Sequence, residues 1–258
     1  MKALFKKALK FTLLLLPIII VACLAVTLWG MEGFTDEMRT ELIAIYGSTV
    51  VFVIISTLPN FLVAVICTFF GYVIAEKVGL MKPLKFEKNP LIITAIWAVI
   101  GGVVIFGLDM LFPLFITQPE ALYMEDATAT LLTPLAWVAA LLYGGIVEEL
   151  MLRLFMMSLV ALIVWKLFFK KHERENVPVV VFVIANVLAA FLFGVGHLPG
   201  LFASFEGITA GFVIRTILLN MIGGVIFGEL YRKYGLQYAI IAHAGFHVVI
   251  KSILLIVS

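Results

Sequence analysis

The sequence predicts an all-α fold, a polytopic transmembrane helical bundle of seven to eight helices. Three observations carry that expectation. Of the 258 residues, 64% are hydrophobic and only 13% charged, with a mean hydropathy of +1.18, which leaves too little polar surface to coat a water-soluble globule. The apolar residues come in long runs without the alternation of two that a membrane barrel requires, and lipid admits only helices or closed barrels. The charged residues gather between those runs, where they report orientation.

The first run covers residues 11–30, after Lys2, Lys6, Lys7 and Lys10. Ile20-Val21-Ala22-Cys23 has the form of a lipoprotein cleavage box, but the run continues through Leu24 to Trp29 at spanning length, so a retained first helix is expected. An acidic stretch with Glu32, Asp36, Glu37 and Glu41 leads into a long apolar segment at 42–76, where Pro59 predicts a kink. A basic loop with Lys77, Lys82, Lys85 and Lys88 precedes a span at 91–115, and an acidic loop with Glu120, Glu125 and Asp126 follows it. The stretch 131–169 is too long for one ordinary crossing, and the pair Gly144-Gly145 predicts a break within it. After Lys166, Lys170, Lys171 and Arg174 come spans at 178–197, 207–231 and 236–257.

Lysine and arginine bias places the amino terminus, the loops at 77–88 and 166–174, and Arg232-Lys233 in the cytoplasm. These four assignments agree only if 131–169 crosses once overall. In a prokaryote the membrane would be the plasma membrane. No internal repeat or soluble segment is visible, so residues 1–258 read as one integral membrane domain. Cys23 and Cys67 lie in apolar runs and read as packing residues, without a disulfide framework or zinc-ribbon spacing. Basic residues placed beside spans point to the lipid bilayer as surroundings and away from nucleic acid as a partner.

Polar groups at membrane depth are costly and mark function. In Gly145-Ile146-Val147-Glu148-Glu149-Leu150-Met151-Leu152-Arg153, Glu149 and Arg153 are four apart and share a helix face, whereas Glu148 lies about 100° around the axis. One carboxylate is thus paired and the other left over, free to accept a proton from water as a general base. His197 closes Phe193-Gly194-Val195-Gly196-His197, with Phe193 one turn earlier on the same face. Counting back from the basic loop brings Glu149 and His197 to a similar depth on antiparallel neighbours. By itself a histidine at a helix end reads as a hydrogen-bonded cap.

His243 and His247 are again four apart. That spacing presents two imidazoles to zinc, as in metalloproteases, but those enzymes carry a glutamate directly after the first histidine, where this chain has Ala244. The metal-free alternative is that both rings donate hydrogen bonds to the oxygen that gains charge when water attacks an amide. Counting from Arg232-Lys233 leaves His243 shallower than His197. Of the other intramembrane polar residues, Asn186 and Asn220 are expected to join helices; Asp109, Arg215 and Glu229 are open to lining a cavity or binding a substrate terminus.

Glu-Glu-x-x-x-Arg at 148–153, Phe-x-x-x-His at 193–197 and His-x-x-x-polar at 243–247, in that order, resemble the CPBP family of intramembrane proteases. That family includes the type II CAAX prenyl endopeptidases and the Abi proteins linked to bacteriocin self-immunity. The likeness covers a core of about 130–258, including the run 223–228 rich in glycine; the preceding residues agree only in being membrane helices. The resemblance implies that Glu148 activates water with help from His197, that His243 and His247 stabilise the oxyanion, and that Glu149, Arg153 and Phe193 support them. It implies hydrolysis of a membrane-associated polypeptide, with release of a carboxy-terminal tripeptide from a prenylated cysteine as the prototype. Where the family commonly has asparagine, this chain has His247, which binds metals more readily. A zinc-dependent variant held by His197, His243, His247 and Glu148 is therefore the alternative to a cofactor-free glutamate mechanism. A non-catalytic scaffold, immunity factor or transporter is the alternative from another class.

Overall fold

In the computed structural model, which describes residues 1–116, 130–204 and 207–257, the chain is a helical bundle. Seven of its helices are long and apolar enough to cross a membrane. The acidic loop residues Glu120, Glu125 and Asp126 lie outside the described residues.

Helix α1 (Lys2–Gly30) runs unbroken through the Ile20–Cys23 tetrad, and Ala22 and Cys23 are fully buried. The segment expected as one run from residue 42 is two helices. Helix α2 (Asp36–Tyr46) starts where the Thr35 hydroxyl accepts the Met38 N–H and ends at Gly47, whose φ of 78° only glycine adopts freely. The carboxyl of Glu37 in its first turn is held below its ordinary value by a backbone N–H and by the Thr35 hydroxyl. Helix α3 (Thr49–Val78) then starts from a Ser48 cap, contains Pro59, and ends at Gly79, again with positive φ. Helix α4 (Lys88–Leu111) is extended by a tight turn at Phe112–Leu114.

The expectation for 131–169 changes as well. Pro134–Phe168 is one continuous 35-residue rod, α5. It opens with a Thr133 cap and Pro134 and passes through two wide-turn π stretches, Ala140–Glu148 and Leu150–Met157. Gly144 and Gly145 do not break it. Their missing side chains admit a neighbour: a Cβ on Gly144 would lie 2.5 Å from His247 Nε2, and one on Gly145 3.0 Å from Ala244 Cβ. Small residues serve close helix approach in lipid, which outweighs their poor helix propensity. A single crossing here brings all four basic segments to one end of the bundle, removing the parity conflict.

Helices α6 (Val179–Gly196) and α7 (Leu198–Ser204) are followed by α8 (Ala210–Tyr234) and α9 (Leu236–Val257), which meet at Gly235 with φ 116°. The rod α5 is central: its first half packs on α1 and α9, its second on α3 and α6. Val147, Leu150, Leu154, Met157 and Ala161, a stripe of alternating three- and four-residue steps, are all fully buried. Helices α6 and α8 share a broad interface, where Gly194 lies against the Ile217 backbone and Asn186 donates to the Val225 carbonyl (2.9 Å). Asn186 thus joins helices as expected; Asn220 instead bonds back to Thr216 of its own helix (2.8 Å). Outward-facing Leu14, Ile54 and Val99 remain exposed, as a surface bathed in lipid requires.

The depth count for His243 assumed that the α8–α9 turn ends level with the other basic loops. Instead residues 80–87 lie over it: Gln237 and Tyr238 donate to the Lys85 carbonyl, the Glu87 N–H donates to the Tyr238 hydroxyl, and Lys82 Nζ donates to the Lys233 carbonyl. Phe193 meets the rings of both His197 and His243, so the two histidines come together at the cavity.

Candidate active site

Two adjacent carboxylates on α5 meet entirely different surroundings. Glu149 has no exposed surface; its Oε1 is 3.2 Å from Arg153 Nη1 and 2.9 Å from His243 Nδ1. Arg153, 1% exposed, also donates from Nη2 to the Gly224 carbonyl (2.9 Å) and lies between the Phe193 and Phe227 rings, 5.0 and 5.4 Å from their centroids. The buried guanidinium is thus met by a carboxylate, a carbonyl and two ring faces, while its Nη1 and Glu149 Oε2 make no hydrogen bond among the described residues. This cluster ties α5 to α8 and α9.

Glu148 points the other way. Its side chain is 16% exposed and lines a cavity of about 720 Å³, and its carboxylate stands 3.8 Å from His243 Nε2. The same cavity is lined by His197, His243 and His247, so the four residues singled out from the sequence surround one hollow.

His243 is positioned on all sides. Its ring stacks on Phe227 (4.4 Å between centroids, 19°) and on His247 (5.0 Å, 20°), with Phe193 edge-on at 5.6 Å. Facing the Glu149 carboxylate, Nδ1 donates, which turns Nε2 toward Glu148. His247 sits one turn further along, and its Nε2 is buried against Gly144 without a hydrogen-bond partner.

His197 follows the last residue of α6, and its Nδ1 donates to the Phe193 carbonyl (2.9 Å) while its ring meets Phe193 edge-on at 4.8 Å. The cap reading and the cavity reading therefore both hold: one nitrogen caps the helix, and Nε2 of the neutral ring keeps a lone pair. Phe193 touches Arg153, His197 and His243, which gathers the three around one ring.

Of the residues left open, Arg215 lines the cavity and pairs with Asp109 across α8 and α4. Glu229 does not line it; Glu229 pairs with Arg232 and Lys233 at the end of α8, at 2.7 and 3.0 Å. Sequence reasoning passed over Phe227, the stacking platform of His243, and Lys251, a cavity-lining cation. The spacing 243, 247, 251 was the available signal for Lys251. Among the described residues, no group of three or more His, Cys, Asp or Glu side chains converges to hold a metal ion. His243 has Nδ1 committed to Glu149 and His197 has Nδ1 committed to a carbonyl, which leaves Nε2 of each ring as the nitrogen open to a further partner.

No curated protein and no solved structure matches the chain. Residues 130–249 match the family described as type II CAAX prenyl endopeptidase Rce1-like, a segment that contains α5 through most of α9 and every cavity residue discussed above except Lys251. The protein is an integral, multi-pass membrane protein whose environment is the bilayer. The match spans the cavity and takes in the three motifs in their order, so the half of the chain that builds the cavity is similar to the type II CAAX prenyl endopeptidase Rce1-like family.

Proposed function

We propose that this protein is an endopeptidase that hydrolyses a peptide bond with water activated by Glu148, without a covalent intermediate and without a metal. The observation that carries the reading is the division of labour between neighbours: Glu149 is consumed by Arg153 and His243, while Glu148 faces the cavity among three imidazoles. Glu148 takes a proton from water as the water oxygen attacks the carbonyl carbon. It returns that proton to the amine nitrogen as the C–N bond breaks, leaving a new carboxylate and a new amine. His197, with Nδ1 engaged, offers Nε2 to the same water. A neutral ring has one N–H, and His243 spends it on Glu149; His247, whose Nε2 has no partner, is the donor left for the developing oxyanion. His243 holds His247 in place through the stack.

The largely apolar cavity wall suits a polypeptide bearing a lipid group, in keeping with the carboxy-terminal tripeptide of a prenylated cysteine as prototype. The basic loops and the amino terminus lie in the cytoplasm, and in a prokaryote the membrane is the plasma membrane. Purified protein incubated with a quenched peptide library, prenylated and unmodified, tests the reading. Mass spectrometry finds paired new termini if it holds; peptides bound but never cut would make the protein a binding scaffold instead.

A further inference from the structure

The crossing helices alternate in direction, and one end of the bundle collects the basic residues: Lys2 opens α1, Lys77 closes α3, Lys88 opens α4, Lys166 closes α5 and Arg232 closes α8. The cavity extends from the acid–imidazole cluster toward the other end. On α5 it is lined by Tyr143, Ala140 and Ala136 on that side of Glu148, with Met151 and Leu152, one turn beyond Glu148, as its floor. On α9 the wall continues past His247 through Ile250 to Leu254. Helix α8 arrives from that end and contributes Arg215 and Leu219 before it reaches Phe227 beside His243. Trp29, at the finish of α1, and Ile105, in the second half of α4, complete the wall.

On the basic side the same helices close the bundle by packing. Leu154 and Met157 of α5, Ala185 of α6, Tyr231 of α8, and Ala239 and Ala242 of α9 are all fully buried. The Ser158 and Tyr231 hydroxyls meet at 3.1 Å across α5 and α8, the Glu149–Arg153–His243 cluster bridges α5 and α9, and residues 80–87 cover the α8–α9 turn. A polypeptide does not pass through an interior packed to this density without displacing it.

We infer that the cavity takes its substrate from the end opposite the basic loops, which with those loops in the cytoplasm is the non-cytoplasmic side of the membrane. The polypeptide it receives is an exported chain or an outward-facing segment of a membrane protein. The inference rests on the proteolytic reading above. It keeps the bond chemistry of the prototype and moves the substrate, because a tail confined to the cytoplasm meets the packed side of the bundle.

Cysteine labelling reads the side of entry without any cleavage. In intact cells an impermeant maleimide is expected to label Ala140→Cys, on the cavity wall, above the background of the parent, and to label Lys171→Cys, in a basic loop, only after the cells are opened. The inference is overturned if Ala140→Cys is not labelled in intact cells, or if Lys171→Cys is labelled there alongside it. The proteolytic reading is measured separately, with a charged quenched peptide that the parent cuts in detergent and Glu148→Gln does not. Added to sealed right-side-out vesicles, that peptide is expected to be cut at least about tenfold faster than by sealed inside-out vesicles, because charged groups cross hydrocarbon at high cost. Both rates are normalised to those after detergent is added. Equal or reversed rates overturn the side of delivery and leave the protease; outward labelling of Ala140→Cys with no cleavage in detergent keeps the side of entry and removes the protease.

Discussion

Glu149 and His243 stand 2.9 Å apart, carboxylate oxygen to Nδ1, across the interface of α5 and α9, and the same oxygen faces Arg153 at 3.2 Å. Removing that carboxylate strands a guanidinium in the bundle interior. Glu149→Gln is expected to cost about 3 to 5 kcal/mol of stability, the usual penalty for breaking one side of a buried ion pair. Exchanging Arg153 for Met as well is expected to recover much of it. Thermal unfolding in detergent measures both; a Glu149→Gln protein melting with the parent would show that the cluster does not hold the helices together.

Gly144→Ala places a methyl group on the His247 ring, whereas Gly194→Ala drives one into the Ile217 carbonyl, 2.6 Å away. The ring can turn aside and the backbone cannot. Gly144→Ala should therefore fold with little change in melting temperature and lose most peptide cleavage, while Gly194→Ala should lose about 1 to 3 kcal/mol of stability through overpacking of α6 on α8. Melting curves beside cleavage rates check the pair, and equal stability losses would contradict the distinction.

These glycines mark where sequence and structure part. The spans and the three motifs could be read directly, because a lipid-facing helix must be apolar over its length and a polar residue within it is conspicuous. The pairing of Glu149 with Arg153, leaving Glu148 over, follows from helical spacing alone. Gly144-Gly145 read as a break because propensity is local, and nothing in the sequence announces that Ala244 and His247 will pack there. The meeting of His243 with His197 at Phe193 is non-local in the same way, as is the cover that residues 80–87 form over the α8–α9 turn through hydrogen bonds from Gln237 and Tyr238 to carbonyls about 150 positions away. Phe227 offered no signal among the 22 phenylalanines of the chain.

Chelation separates a metal-free glutamate mechanism from the zinc alternative. Dialysis against a strong chelator is expected to leave peptide cleavage within about twofold of the untreated rate if water is activated by Glu148 without a metal. Loss of activity on chelation, restored by zinc in proportion to bound metal, would contradict it.

Orientation can be read by thiol labelling, because the native Cys23 and Cys67 are buried and give little background. A cysteine replacing Lys171 is expected to react with an impermeant maleimide only after the cells are opened, and one replacing Gly33, at the opposite end of the bundle, to react in intact cells. The reverse pattern would place the amino terminus outside.

The central claim is that Glu148 activates the attacking water. The most direct measurement is the single-turnover rate of peptide cleavage by Glu148→Gln and Glu148→Ala, each shown to melt with the parent. Both variants are expected to fall by at least about a hundredfold, the scale of a lost general base. Cleavage at the parental rate by either folded variant would contradict the account.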